Sequence, residues 1–208
     1  MRIVVTRPRG QERELSVRLE ALGHDVLSCP LVAIDPIGDE AVDVTGYDWV
    51  IVTSPNGARL LRARMRGTPA RVAAIGAATA AAFGGADLVP KSSTQEGLLA
   101  ELPRPAGRVL FAGAEGARPL LAEELDADVV TLYRTVELEP EDVPDGDLVV
   151  LASASAARAY ARTGSTMPAI SIGRETTSAA RAAGVDVVAE AETHDLDGLV
   201  AAVARAAS

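Results

Sequence analysis

Cysteine is almost absent from this 208-residue chain, where Cys29 stands alone. A single thiol excludes an internal disulfide framework and any cysteine-based zinc cluster. Histidine is nearly as scarce: His24 and His194 are too few for a histidine-rich metal site. Aromatic residues make up 3% of the chain, so each of the three tyrosines is conspicuous. Positive charge is also in deficit, with 20 basic residues against 29 acidic ones and a net charge of −9. That balance argues against nucleic-acid binding, which needs clustered positive charge. It argues equally against a basic membrane-surface role. No apolar run approaches the roughly 18 residues that suggest a membrane span. The amino-terminal apolar stretch Ile3–Val5 is too short for the core of a secretion signal. A cytoplasmic chain with no structural metal, no membrane and no nucleic-acid partner is the expectation.

What is present is a regular alternation. Short, continuous apolar runs at Arg2–Thr6, Trp49–Thr53, Arg71–Ile75, Arg108–Ala112, Leu148–Ala152 and Ala169–Ile172 read as strands buried on both faces. Helical patterns follow them at Gln11–Leu22, Asn56–Arg66, Ala77–Phe83, Pro119–Leu125, Ala156–Arg162 and Thr176–Ala183. This order predicts an α/β protein with doubly wound parallel sheets.

The chain also repeats itself. Asp48–Ser54 matches Asp147–Ser153, 99 positions further on. Ile75-Gly76 with Thr79 matches Ile172-Gly173 with Thr176, and Gly85–Asp87 matches Gly184–Asp186. Arg2-Ile3-Val4 aligns with Arg108-Val109-Leu110, and Asp25-Val26 with Asp128-Val129. A diverged tandem duplication with its midpoint near Pro103–Gly107 explains the set, and predicts two similar domains with a ligand cleft between them. Two long β-prone segments, 28–37 and 130–138, occupy equivalent positions and predict a two-stranded linker.

Ligands of doubly wound sheets bind beyond the carboxyl ends of the strands. Those ends read Thr6-Arg7-Pro8, Thr53-Ser54-Pro55-Asn56-Gly57, Gly76-Ala77-Ala78-Thr79, Gly113-Ala114-Glu115-Gly116, Ser153-Ala154-Ser155 and Gly173-Arg174-Glu175-Thr176-Thr177. Glycine lets backbone approach a ligand, and Ser, Thr and Asn either cap the next helix or bond an anion at its positive end. Each junction taken singly fits plain capping as well as ligand binding. None matches a phosphate loop or completes a dinucleotide fingerprint, and no Gly-x-Ser-x-Gly elbow surrounds Ser54, Ser153 or Ser155. His24 reads as a turn residue, His194 as a residue leading into the last helix, and Cys29 as packed strand. Tyr133, on the second linker, fits either a proton donor or a half-buried linker residue.

The succession Thr6-Arg7-Pro8, Thr53-Ser54-x-Asn56-Gly57, Ala74-Ile75-Gly76-x-x-Thr79, Thr94-x-Glu96-Gly97-Leu98, Tyr133-Arg134-Thr135 and Ile172-Gly173-x-x-Thr176 resembles the uroporphyrinogen-III synthase family. The resemblance runs in order through essentially the whole chain. It implies cyclisation of hydroxymethylbilane, a linear tetrapyrrole polycarboxylate, with inversion of the last ring and loss of water. It implies no metal and no cofactor, and a small-molecule substrate held in a cleft; a monomer is expected, because the internal duplication already supplies two domains. It further implies two flavodoxin-like domains with parallel sheets flanked by helices, residues 1–35 plus 137–208 and residues 38–132, joined by the two-stranded linker. Carried over by motif, Tyr133 corresponds to a tyrosine that assists loss of the hydroxyl group. Thr53, Ser54, Asn56, Gly76, Thr79, Ser153, Ser155, Gly173, Thr176 and Thr177 correspond to substrate-binding positions. Arg7 is added on charge grounds. The net charge repels such a substrate at long range, so the resemblance requires local N–H groups and Arg7, Arg9, Arg134 or Arg174 to offset it. The competing readings from the residues are a non-catalytic small-anion binding or sensor module, and another α/β enzyme with an unrecognised site.

Overall fold

The computed structural model of the protein describes residues 1–140 and 142–207. Glu141 and Ser208, both within the stretch expected to close the first domain, lie outside the described residues. In chain order the elements begin β1 (Arg2–Val5), α1 (Arg13–Ala21), β2 (Asp25–Ser28), β3 (Val32–Pro36), β4 (Val42–Asp43), β5 (Trp49–Val52) and α2 (Pro55–Arg64). There follow β6 (Met65–Arg66), β7 (Val72–Ala74), α3 (Ala77–Phe83), α4 (Gln95–Glu101), β8 (Val109–Ala114), α5 (Leu120–Leu125) and β9 (Asp128–Glu137). The chain ends with β10 (Leu148–Leu151), α6 (Ala154–Arg162), β11 (Ala169–Ser171), α7 (Arg174–Ala182), β12 (Val187–Glu190) and α8 (Leu196–Ala206).

The chain divides into two compact units, Met1–Ala33 with Thr135–Ser208, and Ile34–Arg134. The first holds a five-stranded sheet in the order β12-β11-β10-β1-β2, and its neighbouring strands all pair in parallel. Numbered within the unit, this is the 2-1-3-4-5 order of flavodoxin-like folds. Alternate residues of each strand feed opposite faces. Ile3 and Val5 join Leu15 and Leu19 of α1 and Leu199 and Val203 of α8. Val4 faces the other way, toward Tyr160 of α6 and Ala180 of α7. With helices on both faces the central strand β10 is apolar throughout and β1 is apolar from Ile3 to Val5, which is why these runs read as continuous rather than alternating.

The second unit repeats the scheme. Its sheet runs β3-β9-β8-β5-β7, and β9, β8, β5 and β7 pair in parallel. Val50 and Val52 pack with Ala58 and Leu61 of α2 and Phe83 of α3. Trp49 and Ile51 pack with Leu98 of α4 and Leu121 and Leu125 of α5. Beside β9 runs β3, antiparallel, where the Ile37 N–H donates to Leu132 O at 2.8 Å and the Leu138 N–H to Leu31 O at 2.8 Å.

The sequence repeat has a matching structural repeat at the amino ends of the strands. Asp147 accepts from the Arg2 N–H at 2.8 Å, and Arg2 pairs with Asp25 at 3.2 Å. At the matching positions, Asp48 accepts from the Arg108 N–H at 2.8 Å, and Arg108 pairs with Asp128 at 3.0 Å. In repeat order β11-β10-β1-β2 therefore corresponds to β7-β5-β8-β9, and β12 to the bridge of Leu88 with Ala73. The compact units do not coincide with the repeats. Each unit takes the front of one repeat and the back of the other.

Some boundaries differ from expectation. The β-prone run after α1 is two strands, β2 ending at Ser28 and β3 starting at Val32, although the Cys29 and Leu31 N–H groups either side of Pro30 still donate to Val5 O and Thr6 O. The second helix stops at Arg64, since Met65 turns extended (φ −65°, ψ 134°) and pairs as β6 with β4. Two helices begin two residues early, at Ala154 and Arg174, and this makes Ser153 and Gly173 their N-caps.

Candidate functional site

The chemistry-bearing residues gather at the carboxyl ends of the parallel strands, and each unit is described separately. In the second unit, β5 runs through Thr53 into Ser54, which is extended (φ −155°, ψ 151°) and caps the ten-residue helix α2. The Gly57 N–H donates to Ser54 Oγ at 3.0 Å, satisfying one of the open donors of the first turn. Pro55 at the first helical position has no N–H to leave open. Asn56 Oδ1 accepts from Arg59 Nη2 at 2.8 Å.

Tyr133 comes from β9, two strands away from β5 with β8 between them. A register shift at Gly113/Ala114 pairs Ala114 with Tyr133, and Glu115 N–H donates to Tyr133 O at 2.7 Å. The ring crosses the end of β8 to the start of α2, where Tyr133 Oη and Ser54 Oγ are 2.8 Å apart. Gly57 lies against both groups. A Cβ there would sit 3.2 Å from Ser54 Oγ and 3.7 Å from Tyr133 Cε1. Tyr133 is only 6% exposed. Burial pushes its phenol above the usual tyrosine value, and the Ser54 bond pulls part of the way back. The group is therefore a neutral hydrogen-bond donor across the physiological range.

Gly76 caps α3 without a side chain, and Thr79 is buried in the first turn with its N–H on Gly76 O at 3.1 Å. Ser93 Oγ would lie 3.0 Å from a Cβ at Gly76, so Ser93 also borders this junction.

In the first unit, Ser153 caps α6 by accepting from the Ala156 N–H at 3.1 Å, and Ser155 Oγ accepts from Arg158 Nη2 at 3.2 Å. Gly173 caps α7 with no side-chain bond, which leaves the first-turn N–H groups uncapped by a side chain. The ring of His194 lies near it, its Cγ 3.5 Å from a Cβ built at Gly173. Thr176 and Thr177 are both buried. The Thr177 hydroxyl is engaged inside the unit, between Ser171 Oγ at 2.5 Å and the Glu190 carboxylate. Arg7 Nε donates to Gln11 O at 2.9 Å. In the second unit Arg134 pairs with Asp35 at 2.6 Å, so part of its charge is already balanced.

Ser54 and Tyr133 are thus brought together, Gly76 and Thr79 share one turn, and Gly173, Thr176 and Thr177 share another. The sequence does not single out Gly57, Ser93 or His194 as site residues. Gly57 is visible in the Thr-Ser-x-Asn-Gly run, whereas nothing local marks Ser93 or His194 as neighbours of a glycine cap. A depression of about 510 Å³ lies at the opposite, amino end of the first unit's strands. Asp25, Asp145 and Asp147 line it, a poor match for a polycarboxylate. Among the described residues no group of three or more His, Cys, Asp and Glu is arranged to hold a metal ion. No helix there is long and apolar enough to cross a membrane.

Comparison with known proteins gives a consistent neighbourhood. The family model described as uroporphyrinogen-III synthase HemD matches residues 13–201. The uroporphyrinogen-III synthase of Synechococcus elongatus is 29% identical over 73% of this chain and 66% of its own length. The chloroplastic uroporphyrinogen-III synthase of Oryza sativa subsp. japonica is 28% identical over 98% of this chain and 80% of its own. The chain spans just under two thirds of the length of the first two curated relatives, at 66% and 64%. A mutant uroporphyrinogen III synthase from the extremely thermophilic bacterium Thermus thermophilus shares the fold, with a TM-score of 0.56 at 19% identity, covering 100% of this chain and 98% of that one.

Proposed function

Since the chain belongs to the uroporphyrinogen-III synthase family, we propose that it cyclises hydroxymethylbilane to uroporphyrinogen III. The reaction inverts the last pyrrole ring and releases water. The observation that carries the reading is a protonated, buried phenol at the carboxyl edge of a parallel sheet, bonded to the serine that starts a helix. Tyr133 donates its proton to the departing hydroxyl group as the C–O bond breaks, and the pyrrole nitrogen supplies the electrons. The hydroxyl leaves as water. The phenolate recovers a proton when the closing ring loses one. General acid catalysis of this kind contributes about 10²- to 10⁴-fold.

The substrate carboxylates are proposed to meet the starts of α2, α6 and α7, where first-turn N–H groups and the helix dipole favour an anion. In the second unit Thr53 and Asn56 contribute at the start of α2, and Gly76 and Thr79 at the start of α3; in the first unit Ser153, Ser155 and Gly173 contribute at the starts of α6 and α7, with Arg7 as a cation. Thr176 and Thr177 act through backbone and packing, since the Thr177 hydroxyl is already bonded. Holding the bilane folded is the main task, because free bilane closes without inversion and the route is decided by geometry. We further propose a monomer acting in the cytoplasm.

The test supplies hydroxymethylbilane to the purified protein, oxidises the products and separates isomers I and III. Predominant isomer III is expected. Isomer I alone, formed at the rate without protein, overturns the reading in favour of a binding module.

A further inference from the structure

We infer that Ser54 is a positioning residue that acts through Tyr133, setting the direction of the phenol proton and donating to the phenolate oxygen as that proton leaves. The inference rests on the reading of Tyr133 as the proton donor. The two oxygens are 2.8 Å apart, and either can donate, but not both at once. Gly57 N–H already occupies one acceptor site of Ser54 Oγ at 3.0 Å. When Ser54 donates to Tyr133, the phenol proton is turned away from Ser54 and available to a ligand. The same bond becomes charge-assisted once the phenol ionises. It then stabilises the transition state more than the ground state, which is what accelerates a reaction. The N–H at the start of α2 polarises Ser54 in the favourable direction.

Helix capping alone does not account for the pair. Ser153, the counterpart of Ser54 in the second repeat, caps α6 in the same way through Ala156 N–H at 3.1 Å. No tyrosine hydroxyl reaches it among the described residues: Tyr47 bonds Asp128 and Tyr160 bonds Ser165. The cap is common to both repeats, and the phenol contact belongs to one.

The experiment is a double-mutant cycle read by isomer III formation, a product with no uncatalysed background. Ser54→Ala, Tyr133→Phe and the double variant are compared with the parent, together with Ser54→Thr, which keeps the hydroxyl. Ser54→Asn keeps an N-cap without a hydroxyl and serves if the alanine variant folds poorly. Asp195→Ala, which removes the cap of α8, controls for loss of a cap elsewhere. Ser54→Ala or Ser54→Asn is expected to lower kcat about tenfold or more with little change in KM, and by less than twofold once Tyr133 is phenylalanine. Ser54→Thr should restore most of the rate, and Asp195→Ala should leave kcat within twofold. Equal losses in both Tyr133 backgrounds, from a parent that makes isomer III, overturn this inference alone. A parent that makes only isomer I overturns the proposed function and this inference with it.

Discussion

A phenol held at 6% exposure keeps its proton at neutral pH, because the interior penalises the phenolate. On the proposed reading Tyr133 gives a proton first and recovers it later. Replacing it with phenylalanine removes only the hydroxyl and leaves the ring packed beside Gly57. Tyr133→Phe should therefore lower kcat about 100-fold or more while KM changes little, measured as initial rates of isomer III. A matched rise in KM with kcat preserved would instead make the phenol a binding contact. Residues of this kind are nameable from sequence because tyrosine is rare in the chain. Their pairing is not. Ser54 and Tyr133 are separated by 79 positions, and only the strand order β9-β8-β5 brings them within 2.8 Å.

Among the elements, the helix starts carry most of the sequence information that survives into structure. Ser54, Ser153, Thr94 and Asp195 each accept from the N–H three residues on. In two of these turns the acceptor's partner is glycine for a steric reason. A Cβ at Gly97 would lie 2.3 Å from Ser92 O, and one at Gly198 would lie 2.1 Å from Thr193 O. Gly198→Ala should lower stability by about 2 kcal/mol, read as a drop in urea midpoint, and Gly97→Ala should behave alike. An unchanged midpoint would mean that the loop before the helix moves aside freely. Strands with four consecutive buried residues, such as Trp49–Val52 and Leu148–Leu151, are legible as apolar runs. The edge strand β12 is not, since Asp186, Glu190 and Glu192 crowd its three-residue apolar run. Nor is α4, where Gln95, Glu96 and Gly97 precede a single apolar run and leave no helical repeat to read.

At the scale of the molecule, the second unit is one uninterrupted stretch, Ile34–Arg134, whose sheet has its own packed side chains on both faces. The first unit needs two stretches, because β1 lies between β2 and β10. Residues 34–134 alone should fold and unfold cooperatively in urea, with native-like far-ultraviolet dichroism, whereas residues 1–33 alone should stay unstructured. A non-cooperative 34–134 fragment would show that its sheet depends on the remainder. Strand order is not readable from apolar periodicity, which reports burial but not neighbours. The interleaving of repeats and units also bears on ancestry. If the gene arose by doubling, a half-length ancestor held the front of one sheet and the back of another. Such a chain completes neither sheet by itself and closes both only by exchanging halves with a second copy. Fusion then replaced an encounter that depended on concentration with one that cannot be diluted away.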